Sequence, residues 1–151
     1  MAQVVPDLVS LQNPVFRSYL FYCSILVIKM MGMAILTSVQ RYKNKAFVNP
    51  EDVKSLKIKP KTDENVERVR RAHLNDLENI PIFFVSAFLY MMTSPTEYMA
   101  KTLFFAFTVA RIVHSIVYAV VIIPQPARGL SFGIGFLITG YMALTTLLHV
   151  L

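Results

Sequence analysis

A single cysteine, Cys23, excludes an intramolecular disulfide and supplies no thiolate set from which a zinc site could be built. It lies in an apolar run, where a small buried filler suits it better than a reactive thiol. Charge is scarce too: Asp, Glu, Lys and Arg make up 16% of the 151 residues against 55% hydrophobic ones, and mean hydropathy is +0.52. That balance excludes a soluble domain of ordinary composition and leaves an integral membrane protein of one domain. Met1 to Pro14 carries no Lys or Arg ahead of the apolar segment that follows, so it does not form a cleavable signal peptide. The net charge of +6 does not point to nucleic acid, because the cations gather near the ends of apolar runs and no aromatic-basic recognition motif accompanies them.

The apolar runs predict an all-α, four-transmembrane-helix bundle with spans at about 15–39, 72–92, 99–123 and 130–151. Ten of the fifteen Lys and Arg residues fall between Arg41 and Arg71 with only five acids, which makes the loop of about 41–71 cytosolic. Within it, Asn49-Pro50-Glu51-Asp52 has the order of a helix start, and capping explains Asp52 better than chemistry does. Alternate lysines and Pro60 make Lys54 to Lys61 an exposed connection or membrane-surface segment. Thr93-Ser94-Pro95-Thr96 has little positive charge and belongs on the opposite side.

The second span is the informative one. Ile80 to Met92 is thirteen residues, about 20 Å as a helix, and cannot cross alone. Started near Ala72, the span takes Asn75, Asp76 and Glu78 into the membrane thickness, where they must face protein or a water-filled cavity. Pro81 would free the carbonyl of Leu77 just beyond them. Two cations lie at comparable depth. Lys29 is about twelve residues before Arg41, or ~18 Å below that interface, and Arg111 is twelve before Ile123. Charges so deep need a partner, and Glu78 is the expected counter-ion for Arg111 or Lys29. Arg111 serves equally as bundle glue or as ligand site. Arg111, Ser115 and Tyr118 recur at one helical face, with His114 at its border. In the fourth span Gly133, Gly135, Gly140 and Ala143 predict close helix approach, and His149 reads as an interfacial residue.

Nine of the thirteen residues from Glu67 to Asn79 are charged or strongly hydrogen-bonding, more than packing requires. At ~100° per residue, Glu67, Arg71, Leu74, Asn75 and Glu78 share a sector, with Arg70 beside it and His73 further round. Guanidinium forks bind carboxylates bidentately and a carboxylate receives an ammonium, so the face suits a small zwitterionic polyanion. The competing reading is a solvated helix entry held by Glu67/Arg71 and Arg71/Glu78 pairs.

Glu67-Arg68-Val69-Arg70-Arg71-Ala72-His73-Leu74-Asn75-Asp76-Leu77-Glu78 resembles the signature E-R-V-x-R-A-x-x-N-D-x-E of the MAPEG family, the membrane-associated proteins in eicosanoid and glutathione metabolism. The resemblance extends through Leu26 to Met30, Lys45 to Asp52, Ala110 to His114 and Pro124 to Arg128. It is strongest to the microsomal glutathione transferase type 1 branch, with the prostaglandin E synthase branch next. It implies glutathione as co-substrate and no metal. By motif, Arg41, Arg70, Arg71, His73, Asn75, Glu78, Arg111 and Tyr118 would line the glutathione site. Position alone makes Arg128 a positive-inside anchor; the resemblance makes it the catalytic residue that activates the thiol. The resemblance further implies homotrimers with sites between neighbours, in the endoplasmic reticulum or mitochondrial outer membrane, acting on hydrophobic electrophiles and lipid hydroperoxides. The chain departs from the pattern at two places. Val53 stands where type 1 enzymes carry a sensing cysteine, and Gly129 where the prostaglandin branch has a serine after the arginine, which favours transferase and peroxidase over prostaglandin isomerase. A non-catalytic membrane scaffold is the alternative from a different class.

Overall fold

The computed structural model describes residues 8–151. Its elements are α1 (Pro14–Asn44), α2 (Pro50–Leu56), α3 (Glu64–Met91), α4 (Glu97–Ser115, continuing into a π turn at Ile116–Val120) and α5 (Ala127–Val150), with no strand among the described residues. Each start has a local cause. Asn13 Oδ1 accepts from the N–H groups of Val15 (2.9 Å) and Phe16 (3.2 Å), and Pro14 fills the first helical position. Asp63 Oδ1 caps α3 through Asn65 N–H at 2.9 Å, and Thr96 Oγ1 caps α4 through Met99 N–H at 3.3 Å. α1 stops where Lys45 takes a left-handed conformation (φ 48°) and the Ala46 N–H returns to the Arg41 carbonyl at 3.0 Å.

Two helices run past the apolar runs. The basic segment between the first two long helices is shorter than 41–71, because α1 runs through Arg41 to Asn44 and α3 begins at Glu64, not Ala72. The Asp63 cap starts α3 early, and α1 continues to the left-handed backbone turn at Lys45. α2 begins at Pro50 as expected, but Asn49 does not accept from the helix; its Nδ2 donates to Asp52 Oδ2 at 3.1 Å, and the Asp52 N–H bonds the Asn49 carbonyl at 3.2 Å.

The four long helices pack as a ring in the order α1, α3, α5, α4. Leu26, Ile80, Phe83, Phe104, Phe107 and Met142 form the centre of the core, with the Phe83 and Phe107 rings stacked at 3.8 Å and 5°. A second small cluster of Met33, Val69 and Ala72, joined by Tyr118, lies nearer the basic end. Outward, α1 exposes Phe21, Val27, Ile28, Met31 and Ile35, and α5 exposes Phe136, Leu137, Leu144 and Leu148. Apolar area of that extent suits hydrocarbon and not water. α1, α4 with its π turn, and α5 are long and apolar enough to cross a membrane; α3 has the length, 28 residues, but a charged first half. Of the small residues in α5, Gly135 makes a close approach within the chain: a Cβ there would stand 3.5 Å from Phe107 and 3.6 Å from Arg111 Cδ, whereas Gly133 and Gly140 have open space.

Candidate functional site

α3 buries one apolar stripe and turns most of its charges to the opposite side. Val69, Ala72, Asp76, Ile80, Phe83 and Ala87 recur at spacings of three and four and are all buried. Asp76 therefore stands on the apolar stripe, about 180° around the helix from Glu67 at ~100° per residue. Its carboxylate is fully buried and receives three donors. Lys29 Nζ from α1 pairs with Oδ2, Ser115 Oγ donates to the same oxygen at 3.2 Å, and Arg111 Nη2 donates to Oδ1 at 2.6 Å. The expected counter-ion, Glu78, is corrected to Asp76. Glu78 is exposed in the single chain and lies about 160° away around the helix, so it reaches neither cation. The deep cations are paired as expected, but by the other acid.

Arg111 is 0% exposed, and its Nη2 also donates to Asn75 Oδ1 at 2.8 Å. Ser115 and His114 are buried beside it, and Tyr118 is half-buried. The π turn opens the helix by one residue per turn at Ile116–Val120, the Val121 N–H returning to the Ile116 carbonyl at 2.8 Å. Tyr118, carried on this turn, sets its ring edge against His114 (5.6 Å, 89°) and its face under the Arg128 guanidinium, 4.5 Å from the centroid. Arg128 is thereby held over an aromatic face at the first turn of α5. Gln125 Oε1 accepts the Gly129 N–H at 3.0 Å, and a Cβ at Gly129 would press on that amide at 3.1 Å.

The outer half of α3 borders two cavities, one in each groove that the ring provides. Between α1 and α3, about 440 Å³ is lined by Arg41, Arg70, Arg71 and His73 with Glu67 and Ser38. Between α3 and α5, another 440 Å³ takes Asn75, Glu78 and Asn79 at its polar end and Ile82, Phe132 and Phe136 at its apolar end. The predicted ligand face is thus divided along its length: Arg41, Arg70, Arg71 and His73 go to one groove, Asn75 and Glu78 to the next, and Arg71 and Glu78 are the neighbouring members across the divide. The ion pairs along α3 also differ from expectation. Arg70 pairs with Glu67 (2.9 Å to both oxygens) and Arg71 with Glu64 (2.6 Å), in place of Glu67/Arg71 and Arg71/Glu78. Glu64, and less strongly the Tyr118 phenol, raise the pKa of Arg71 still further. Glu64 lies outside the signature string and carries no sequence signal of its own; Asp76 faces protein as expected, and its role as the counter-ion is marked by its place among Val69, Ala72 and Ile80.

A face of paired arginines, an amide and a carboxylate stands on an otherwise apolar bundle with three helices long and apolar enough to cross a membrane, which sets the class as a membrane protein. Residues 19–148 match the MAPEG family, and the chain belongs to it. It is 44% identical over 139 residues to microsomal glutathione S-transferase 1 of Mus musculus, covering 88% of this chain and 89% of that one. The Homo sapiens protein of the same name is 42% identical over the same coverage, and prostaglandin E synthase of Equus caballus is 33% identical over 142 residues, 92% of each chain.

Proposed function

We propose that this protein is a membrane-bound glutathione transferase that joins the glutathione sulfur to hydrophobic electrophiles. The observation that carries the reading is the outer half of α3, where Arg70, Arg71 and His73 meet Arg41 on one flank and Asn75 and Glu78 stand on the other. Glutathione presents two carboxylates, an ammonium and a thiol. The guanidinium groups suit the carboxylates and Glu78 suits the ammonium. The higher identity to microsomal glutathione S-transferase 1 supports the same reading.

Two grooves flank α3 in one copy, so a single site containing all these residues calls for an adjoining copy to cover the exposed outer face of the helix. A homotrimer with sites between neighbours meets that need. α3 then completes the set of four spans, with Asn75 and Glu78 opening on the site and the basic segment facing the cytosol of an endoplasmic reticulum or mitochondrial outer membrane. Tyr118 borders the site from α4. Arg111 stands behind Asn75.

Chemistry follows from the state of the sulfur. A thiol of pKa ~8.5 is only a few per cent thiolate at pH 7, and an adjacent guanidinium favours the anion. Arg128, half-buried on Tyr118 at the start of α5, is the group suited to this. The proton leaves to solvent. The thiolate attacks an electrophile arriving through the bilayer, a carbon–sulfur bond forms, and the leaving group departs with the bonding pair. With a lipid hydroperoxide the thiolate attacks the outer oxygen and releases an alkoxide, which takes a proton; a second glutathione gives the disulfide and water, so two thiols are oxidised for one peroxide reduced.

Conjugation of glutathione to a chlorinated nitrobenzene by the purified protein tests the reading against isomerisation of prostaglandin H2 under the same conditions. Conjugation is the expected outcome. Isomerisation without conjugation would place the chain functionally with the prostaglandin synthases, and neither activity with no glutathione binding would make it a scaffold.

A further inference from the structure

The buried cluster behind α3 has a feature that charge pairing does not require. Arg111 Nη2 is shared between Asp76 Oδ1 (2.6 Å) and Asn75 Oδ1 (2.8 Å). A guanidinium has only donors, so the end of the Asn75 amide that faces it must be the oxygen. Asn75 also lines the cavity between α3 and α5, beside Glu78. With Oδ1 held inward, the Nδ2 end remains for the cavity, and among the described residues it has no acceptor. Asp76 in turn keeps Arg111 in place, itself fixed from α1 by Lys29 and from α4 by Ser115. Arg111 is fully buried and lines neither cavity.

We propose that Arg111 is a positioning residue: it fixes the Asn75 amide so that Nδ2 donates to an oxygen of the bound glutathione, while Arg111 itself touches no ligand. An amide released from Arg111 can turn its oxygen toward the cavity, and an oxygen beside the Glu78 carboxylate would repel the anionic parts of glutathione. The locked amide offers a donor there at no ordering cost when the ligand binds. The inference rests on the glutathione transferase reading and adds to it a division of roles among the polar residues of α3 and α4.

A double-mutant cycle on glutathione affinity, measured by titration calorimetry on the detergent-purified full chain, tests the role. Arg111→Lys retains a cation for Asp76 but loses the planar Nη2 group whose two N–H bonds reach both partners. It should weaken glutathione binding about tenfold, the size of one hydrogen bond of ~1.4 kcal/mol. Asn75→Ala should do the same. In the Asn75→Ala background, Arg111→Lys should then change affinity less than about twofold, because nothing is left to position. Arg111→Met, which leaves Lys29 and Asp76 as a one-to-one pair, is the second probe and should close the same cycle. With saturating electrophile, the glutathione KM should rise while kcat at saturating glutathione stays within about twofold; a purely structural role would lower the amount of folded protein and leave KM unmoved. Additive losses in a protein that binds glutathione would overturn the positioning role alone. A wild-type chain that binds no glutathione would overturn the underlying reading and this role with it.

Discussion

On its inner side α3 buries one carboxylate, Asp76, between Lys29 of α1 and Arg111 of α4, whereas on its outer side Glu64, Glu67, Arg70 and Arg71 pair with one another in the open. The residue types are the same and the helix is the same; only the phase differs. Inside, the two cations share one carboxylate and have no water to fall back on, so removing that carboxylate leaves both uncompensated. Outside, the side chains are about half exposed, their pairs are screened, and the charge remains usable by a ligand. Burial therefore turns one set of charges into structure and leaves the other available for binding.

The comparison breaks most readily at Asp76. Asp76→Asn strands Lys29 and Arg111 without a carboxylate and should cost on the order of 3–5 kcal/mol, read as a lowered thermal midpoint in detergent. Glu78→Gln, on the outer side, should leave that midpoint unchanged within ~0.5 kcal/mol while weakening glutathione binding. Equal thermal losses at the two positions would erase the distinction between the two sides.

Arg128→Ala should retain glutathione binding within roughly tenfold, about 1.4 kcal/mol, while conjugation at neutral pH falls about a hundredfold, the usual scale for one transition-state or nucleophile-stabilising group. Raising the pH should recover part of the rate, since hydroxide then supplies the ionisation, and thiolate absorbance near 240 nm in the glutathione complex should fall in the variant. Parallel loss of binding and rate with an unchanged pH profile would instead make Arg128 a carboxylate clamp.

The smallest effect sharpens the outer face itself. Alanine at Arg70 or Arg71 should weaken glutathione binding about tenfold, and alanine at Lys54, Lys57, Lys59 or Lys61 less than about twofold, because those lysines are exposed on α2 and the segment after it, and line neither α3 cavity. Comparable losses in the two sets, measured by calorimetric titration, would mean that glutathione responds to net charge and not to a site.

Much of this was legible in the residues. The membrane class follows from hydropathy, α2 from Asn49-Pro50, and the matching depths of Lys29 and Arg111 from counting back to their basic ends. Depth alone does not separate Asp76 from Glu78, two residues and ~3 Å apart along the axis. Phase does separate them: Asp76 continues the run Val69, Ala72, Ile80, Phe83, and Glu78 does not. The π turn at Ile116–Val120 left no such trace, since Ile-Val-Tyr-Ala-Val reads as ordinary apolar helix; its register depends on packing against α3 and the return of the chain to α5. Nor was the division of the polar face visible, because it arises from which helices flank α3 in the ring, an arrangement that spans nearly the whole chain.

The cluster of Lys29, Asp76 and Arg111 also has an order in time. Lys29 lies in α1, which leaves the ribosome before α3, and its carboxylate partner is 47 residues further along. At about 5–20 residues per second, roughly 2–10 s of synthesis pass between them. If the spans enter the bilayer in chain order, α1 carries a lone lysine during that interval, at a cost of ~2.5–3.5 kcal/mol on the scale of translocon-mediated insertion. Its hydrophobic residues must outweigh that debt unaided until α3 arrives. The apolar excess of α1, most of it facing outward in the finished bundle, is then the ballast that holds an incomplete chain in the membrane before its charges can meet.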